Sequence, residues 1–454
     1  MFPPFRQLRT RKLTFAPCLI AALLLFLLQA SEVFGQTPVT PNNPVHVVAA
    51  DAQTPARLSD LLTEAQRNNP QIQAAHQAWI AAQQVPAEVS ALPDPQVQVQ
   101  QFSVGSPRPF AGYTNSNFAY IGLGASQDFP YPGKLRLKGQ IAKQDSAVAQ
   151  QQYESVRREV LANVKSAYFR LAYLSQTLAI LQSDGELLNE AAQAADAQYR
   201  AGMGNQQDLL QAQLEKTKLL REIIMHHLEV AKLEAQMKQL LNRSQSSPDI
   251  ETIQISQTPL TYTFDELLNA AKSQNPEITA AQSLVQKGKL QVDLAHKDFY
   301  PDFNLQYMWQ RTDPTQYRAY YMLTFGVNIP IHRSKLHHEL AEAQADLNRS
   351  RSEAEAQFQQ VAFQLRTEYD IAQKDAELLN MYNHGLLPQA RAEYQAGIAS
   401  YQNNRSDFQT LLNSFLDVLH LDEECWQTFA DREDALAGIE QLTGLSLRQE
   451  GAQQ

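Results

Sequence analysis

Between Lys134 and Arg200 the chain reads KLRLKGQIAKQDSAVAQQQYESVRREVLANVKSAYFRLAYLSQTLAILQSDGELLNEAAQAADAQYR. The stretch has no proline and only two glycines, Gly139 and Gly185, so little in it stops a helix. Apolar residues recur at steps of four and three through Val160, Val164, Ala167, Leu171, Leu174, Leu178 and Leu181. Gly185 breaks the series, which resumes at Leu188, Ala192, Ala195 and Tyr199. A mean spacing of about 3.5 residues is a coiled-coil seam. Roughly 65 residues of helix reach roughly 100 Å, more than a compact domain of this size is wide. A solenoid or bent bundle also uses long amphipathic stretches; the reading adopted is an extended helix, turned back at Tyr199 and Gly202 by glycine's backbone freedom. A return helix covers about 208–242.

The order of elements before this hairpin is repeated after it. Residues 58–75 and 264–281 align without a gap: Leu61 with Leu267, Ala65 with Ala271, Asn69-Pro70 with Asn275-Pro276, Ile72 with Ile278. The chain is therefore read as a tandem duplication, one repeat spanning 57–258 and the other 259–445. Each repeat opens with a short amphipathic helix and a longer one, the first of the longer ones interrupted or bent at Pro86. The period then changes to two. In the first repeat the strand pair spans about 96–129, its second strand starting near Asn117; Val97 and Val99 stand in one phase and Phe102 and Val104 in the other, which predicts a bulge or a slip. In the second repeat (about 302–331), Phe303, Leu305, Tyr307 and Trp309 alternate with polar residues, as do Tyr321, Leu323, Phe325 and Val327. The second hairpin covers about 335–430. Its seam runs through Phe358, Leu365, Ala372 and Leu379, a kink is expected at Pro388, and the turn is placed at Tyr394 to Gly397.

The ends differ in composition. Arg6, Arg9, Arg11 and Lys12 precede an apolar run from Leu19 to Leu28, and small residues follow near Gly35, so residues 1–35 read as a secretory signal peptide. Residues 36–56 read as a flexible leader and 446–454 as a polar tail. Without residues 1–35, four basic residues and Glu32 are lost and the formal charge moves from −10 to −13, which disfavours nucleic acid as a partner. Cys425 is then the one cysteine, so no intramolecular disulfide forms. After the signal no run is long and apolar enough for a membrane helix. Any bilayer insertion has to use β-strands, and since open edges are not tolerated in lipid and four strands are below the ~8 of the smallest bacterial barrels, several chains must pool them. A trimer would supply twelve.

In this order the duplicated elements, the two Asn-Pro pairs, the strand-ending Phe129-Pro130 and Ile329-Pro330, and the two turns resemble the TolC family of trimeric outer-membrane efflux channels, over about residues 58–442. The resemblance implies an α+β membrane protein. A homotrimeric 12-stranded β-barrel would sit in outer-membrane lipid, continuous with a periplasmic α-helical coiled-coil barrel. It implies passive export in a tripartite efflux or secretion system with a periplasmic adaptor (membrane fusion) protein and an inner-membrane pump. Tyr199, Gly202 and Gly397 would form adaptor-docking turns. Asp407 matches an acidic residue of the periplasmic gate, Asp208 and Tyr394 its linking pair, and Arg405 its arginine. Thr410 stands where the family often has a second acidic residue, and the interval from Tyr394 to Asp407 is longer than usual. Helix capping is the competing role for Asp208 and Asp407.

Two other readings are open at this stage. Heavy-metal exporters exist in the family, and His226-His227, His332 and His337-His338 invite that reading, although a solvated helix face is the reading adopted for them. A periplasmic coiled-coil structural or adaptor protein is the other. No catalytic motif, cofactor site or metal-spaced cysteine set is found: Gly122-Leu123-Gly124 lies inside a strand and is followed by Gln127, not the third glycine of a dinucleotide fingerprint.

Overall fold

A computed structural model describes residues 57–103, 108, 119–250, 257–312, 319–403 and 405–447. The signal peptide, the leader and most of the polar tail lie outside them. The first repeat contains α1 (Leu58–Asn68), α2 (Pro70–Ser90), β1 (Gln96–Phe102), β2 (Tyr120–Phe129), α3 (Lys134–Arg200) and α4 (Gln206–Leu240). The second contains α5 (Phe264–Gln274), α6 (Pro276–Lys297), β3 (Asp302–Thr312), β4 (Ala319–Asn328), α7 (Arg333–Met381), α8 (Leu387–Gln402) and α9 (Phe408–Thr443). The duplication is visible in the packing. Leu61, Ala65 and Ile72 of the first repeat pack with Val164, Leu171 and Met237; Leu267, Ala271 and Ile278 of the second pack with Val361, Leu365 and Ile439.

The Asn-Pro pairs hold each cluster together. Asn69 Oδ1 accepts from the N–H groups of Gln71 and Ile72, capping α2, while its Nδ2 donates to Leu240 O at 2.9 Å. Asn275 does the same: Oδ1 accepts from Glu277 and Ile278, and Nδ2 donates to Leu442 O at 3.0 Å. Proline follows because the first helical position needs no N–H. One buried side chain thus starts a helix and ties down the far end of the returning one.

The strands form one antiparallel sheet in the order β1-β2-β3-β4, and its central pair, β2 with β3, joins the two repeats. Val97, Ala125, Tyr307 and Leu323 stand abreast, and next to them Val99, Leu123, Trp309 and Tyr321. This face is apolar yet open: Val97 is 73% exposed, Tyr321 76% and Phe325 67%. Side chains alternate across the sheet, so the other face carries Gln96, Ser126, Gln306 and Thr324 in one row and Gln98, Gly124, Met308 and Met322 in another. Met308 is fully buried because Gly124 leaves room for it; a Cβ there would lie 3.0 Å from the methionine methyl carbon. The outer edges of β1 and β4 pair with nothing among the described residues.

Several expectations are corrected. β1 runs in unbroken register from Gln96↔Ser126 to Phe102↔Tyr120, without a bulge; Val104 and Asn117 lie outside the described residues. Pro86 does not interrupt α2. The irregularity near Pro388 precedes it, as a π turn over Tyr382–Leu386. A proline ring crowds the carbonyl four residues back and offers it no N–H, and a widened turn relieves both. The turn placed at Tyr394 to Gly397 is helix: α8 runs on to Gln402, and Gly397 serves close packing, since its Cβ would meet Ser414 Oγ at 3.2 Å. The return helix extends past 430 to Thr443, and Leu447, assigned to the tail, is buried against the second cluster.

Asn275→Ala removes the cap and leaves Leu442 O without its donor. The expected loss is about 1–3 kcal/mol, read as a lower midpoint in thermal denaturation of the detergent-extracted protein; an unchanged midpoint contradicts this role.

Candidate functional site: the helical tips and the seam above them

The first tip reverses the chain in five residues between α3 and α4. Gly202 takes φ of +72°, and a Cβ on Gly204 would lie 2.9 Å from Gln198 Cβ and from Tyr199 N, so both turn positions require glycine. The N–H groups of Met203 and Gly204 both donate to Gln198 O, closing the end of α3. Asn205 caps α4, its side chain accepting from Gln207 N–H. Tyr199 and Met203 are exposed, with Leu210 and Leu214 on the next turns of α4.

The second tip lies between Gln402 and Phe408. Asp407 Oδ1 accepts from Thr410 N–H at 2.8 Å, so this fully exposed carboxylate caps α9, and the hydrogen bonds hold its pKa below the usual value. Arg405 is exposed, and its N–H donates to Ser400 O.

The tips are joined, but not by the expected pair. Tyr401 Oη donates to Asp208 Oδ2 at 3.3 Å, and Gln198 Nε2 donates to Gln402 O at 3.0 Å. Burial, then the Asp208 carboxylate, push the Tyr401 phenol up to about 12. Tyr394 lies two turns away, its hydroxyl donating to Leu187 O at 2.9 Å, and does not touch Asp208. The sequence carried the signal: Tyr199, Asn205 and Leu209-Leu210 match Tyr401, Asp407 and Leu411-Leu412 without a gap. That alignment also pairs the two helix caps, Asn205 and Asp407.

Above the tips the buried seam of α3 is Leu174, Thr177, Leu181, Asp184, Leu188, Ala191, Ala195 and Gln198, a regular alternation of three and four. Half of it lies one residue before the apolar series of the sequence, so the expected break at Gly185 becomes a heptad with polar residues inside it. Asp184 is 3% exposed, and its Oδ2 has no hydrogen-bond partner. Burial, then the neighbouring Asp422, push its carboxyl up to about 7 despite Arg391. Arg391 donates to both oxygens of buried Asp422, at 2.8 and 2.9 Å. Beside this pair is a cavity of about 550 Å³ lined by Asn383, Leu387, Arg391, Cys425 and Trp426. Burial and Asp422 push the Cys425 thiol up to about 11, which suppresses the thiolate.

The histidines do not converge. His226 Nε2 lies 3.6 Å from Glu423 and His337 packs edge-on to Phe299; no group of three metal-binding side chains occurs among the described residues.

The family model described as "Outer membrane efflux protein" matches residues 61–243 and 267–407, more than half of the chain and once per repeat. The chain belongs to the outer membrane efflux protein family. The channel's fold has solved counterparts. The outer membrane protein VceC from Vibrio cholerae is 17% identical with a TM-score of 0.73, over 86% of this chain and 97% of that one. The outer-membrane channel OprN is 17% identical with the same score, over 86% and 90%, and CusC 16% identical, also at 0.73, over 85% and 91%. Comparison with curated proteins gives no match. Membership places the channel in the outer membrane with its helical part in the periplasm, and makes it a transport duct, not an enzyme. Among the described residues no helix is long and apolar enough to cross a membrane.

Asp184 sets a pH dependence. An unfolded aspartate loses its proton near pH 4, whereas Asp184 keeps it to about 7, so between these values the folded channel binds the extra proton. Stability from this group is present below pH 4, falls as the pH rises to 7, and is flat above. Asp184→Asn is expected to flatten that decline and to raise stability at pH 8 by a few kcal/mol. Denaturation from pH 4 to 8 checks it, and a decline as steep in the variant as in the parent contradicts it.

Proposed function

We propose that the channel is the exit duct of a tripartite efflux or secretion system, in which three copies close a twelve-stranded barrel and receive substrate from a periplasmic adaptor and an inner-membrane pump. The observation that supports this reading is the sheet. Its apolar face is exposed, its opposite face mostly polar, and neither outer edge meets a further strand among the described residues, which suits strands that meet lipid on one side and water on the other. The helices carry matching exposed stripes, with Leu220, Ile224 and Leu228 on α4 and Phe363, Ile371 and Leu378 on α7, for burial between copies. At the tips, Tyr199, Gly202, Met203 and Leu210 form the surface offered to the adaptor. Gly397 is withdrawn from that role because it lies inside a helix. The gate comprises the Tyr401–Asp208 link together with Asp407 and Arg405, and Tyr394 supports it from the packed interior. A ring of Asp407 carboxylates attracts cations.

Planar-bilayer recording tests the reading. The extracted channel is expected to give discrete conductance steps blocked by multivalent cations. Asp407→Asn, which keeps a capping oxygen but not the charge, should weaken the block several-fold without lowering stability. Equal block in the variant removes Asp407 from the constriction, and an absence of conductance contradicts the duct.

A further inference from the structure

The duplication specifies what belongs at the two free edges of the sheet. Inside the chain, β2 and β3 meet in the register Phe129↔Phe303, and their helical end is closed by polar and aromatic contacts. Asp302 Oδ1 accepts from Tyr131 N–H at 2.7 Å, and its two oxygens accept from buried Lys134 Nζ at 3.0 and 3.1 Å. Tyr131 stacks on Tyr300 with ring centroids 4.6 Å apart.

These contacts have counterparts at the free edges, except that Asp298, which also pairs with Lys134 at 3.1 Å, corresponds to Ser90. Phe129-Pro130-Tyr131 corresponds to Ile329-Pro330-Ile331 beyond β4, and Lys134-Leu135 to Lys335-Leu336 with one residue inserted. Tyr300-Pro301-Asp302 corresponds to Leu92-Pro93-Asp94 before β1. In the single chain these counterparts are exposed: Leu92 53%, Ile331 73%, the Lys335 side chain 73%, and Asp94 as well. Two apolar side chains replace the stacked tyrosines, and a carboxylate and an ammonium replace Asp302 and Lys134. The edges are complementary to each other, and within one chain they lie at opposite sides of the sheet.

We propose that the β4 edge of one copy pairs antiparallel with the β1 edge of the next in the register Ile329↔Pro95, Val327↔Val97 and Phe325↔Val99, closed by Asp94 accepting from the neighbouring copy's Ile331 N–H and Lys335 Nζ, with Leu92 against Ile331. This inference rests on the reading that copies share one barrel. The register follows because Pro95 succeeds Asp94 as Phe303 succeeds Asp302. An independent feature agrees with it. Val327, Phe325, Val97 and Val99 all belong to the apolar face, so this register continues that face across the seam, whereas a slip of one residue would oppose apolar to polar. Pro95 has no N–H to give and stands at the first position of the ladder, where a strand tolerates proline.

Paired cysteines in the full-length protein lacking Cys425 (Cys425→Ser) test this. Directly opposed residues on neighbouring strands bring Cβ atoms within disulfide reach, and diagonal ones do not. Val97→Cys with Val327→Cys is expected to link chains into a covalent oligomer on oxidation, in several-fold higher yield than Val97→Cys with Phe325→Cys. Asp94→Lys should lower the yield, and adding Lys335→Asp should restore it. An intact oligomer that does not link at 97 and 327, or links better at 97 and 325, overturns the register while the barrel reading stands. Linking without charge-swap rescue overturns the Asp94 contact. A protein that forms no oligomer overturns both the inference and the barrel reading.

Discussion

The constraint on which the rest depends is the outer edges of β1 and β4, which meet no further strand among the described residues. In water an open sheet edge hydrogen-bonds to solvent; in hydrocarbon each unmet N–H or C=O costs several kcal/mol. The exposed rows headed by Val97 and Val99 make the sheet unfit for water on one face, and its edges make it unfit for lipid as a single chain. Both problems have the same remedy, further copies of the same sheet, and the long helices share it, because their exposed stripes need a neighbour too.

Duplication explains how one chain prepares for that assembly. The contacts that build each repeat are kept nearly unchanged: Asn69 and Asn275 make the same three hydrogen bonds, and the two lower clusters use matching positions. The repeats diverge at the tips. One turn is a tight glycine reversal, the other a polar loop capped by Asp407. Tyr401 to Asp208 is where the two kinds of tip are fastened within a chain.

How far the sequence could be read follows from the kind of signal each feature leaves. The long helices, the strand pairs and the duplication rest on periodicity over many residues, and all are present, with several of their ends and turns displaced. The seam of α3 was displaced where it carries Thr177, Asp184 and Gln198, because an apolar search steps over buried polar side chains to the nearest apolar neighbour. Tyr-Gln-Ala-Gly resembles the first turn locally and so draws the second tip to Tyr394 and Gly397, whereas the structure puts it between Gln402 and Phe408, where the sequence has no glycine. The π turn at Tyr382 leaves only Pro388 as its mark, and a proline tells where a helix is disturbed better than how. The register puts Tyr320 with Gln310 on the polar face of the sheet and Tyr321 with Trp309 on the apolar one, as the alternation of the second strand pair implies.

The central claim is that the sheet is completed only by other copies of the chain. The most direct test is the mass of the particle extracted from membranes, measured in detergent and corrected for bound detergent. The account predicts three chains per particle and precipitation when detergent is withdrawn. A monomer that stays in solution without detergent would contradict it.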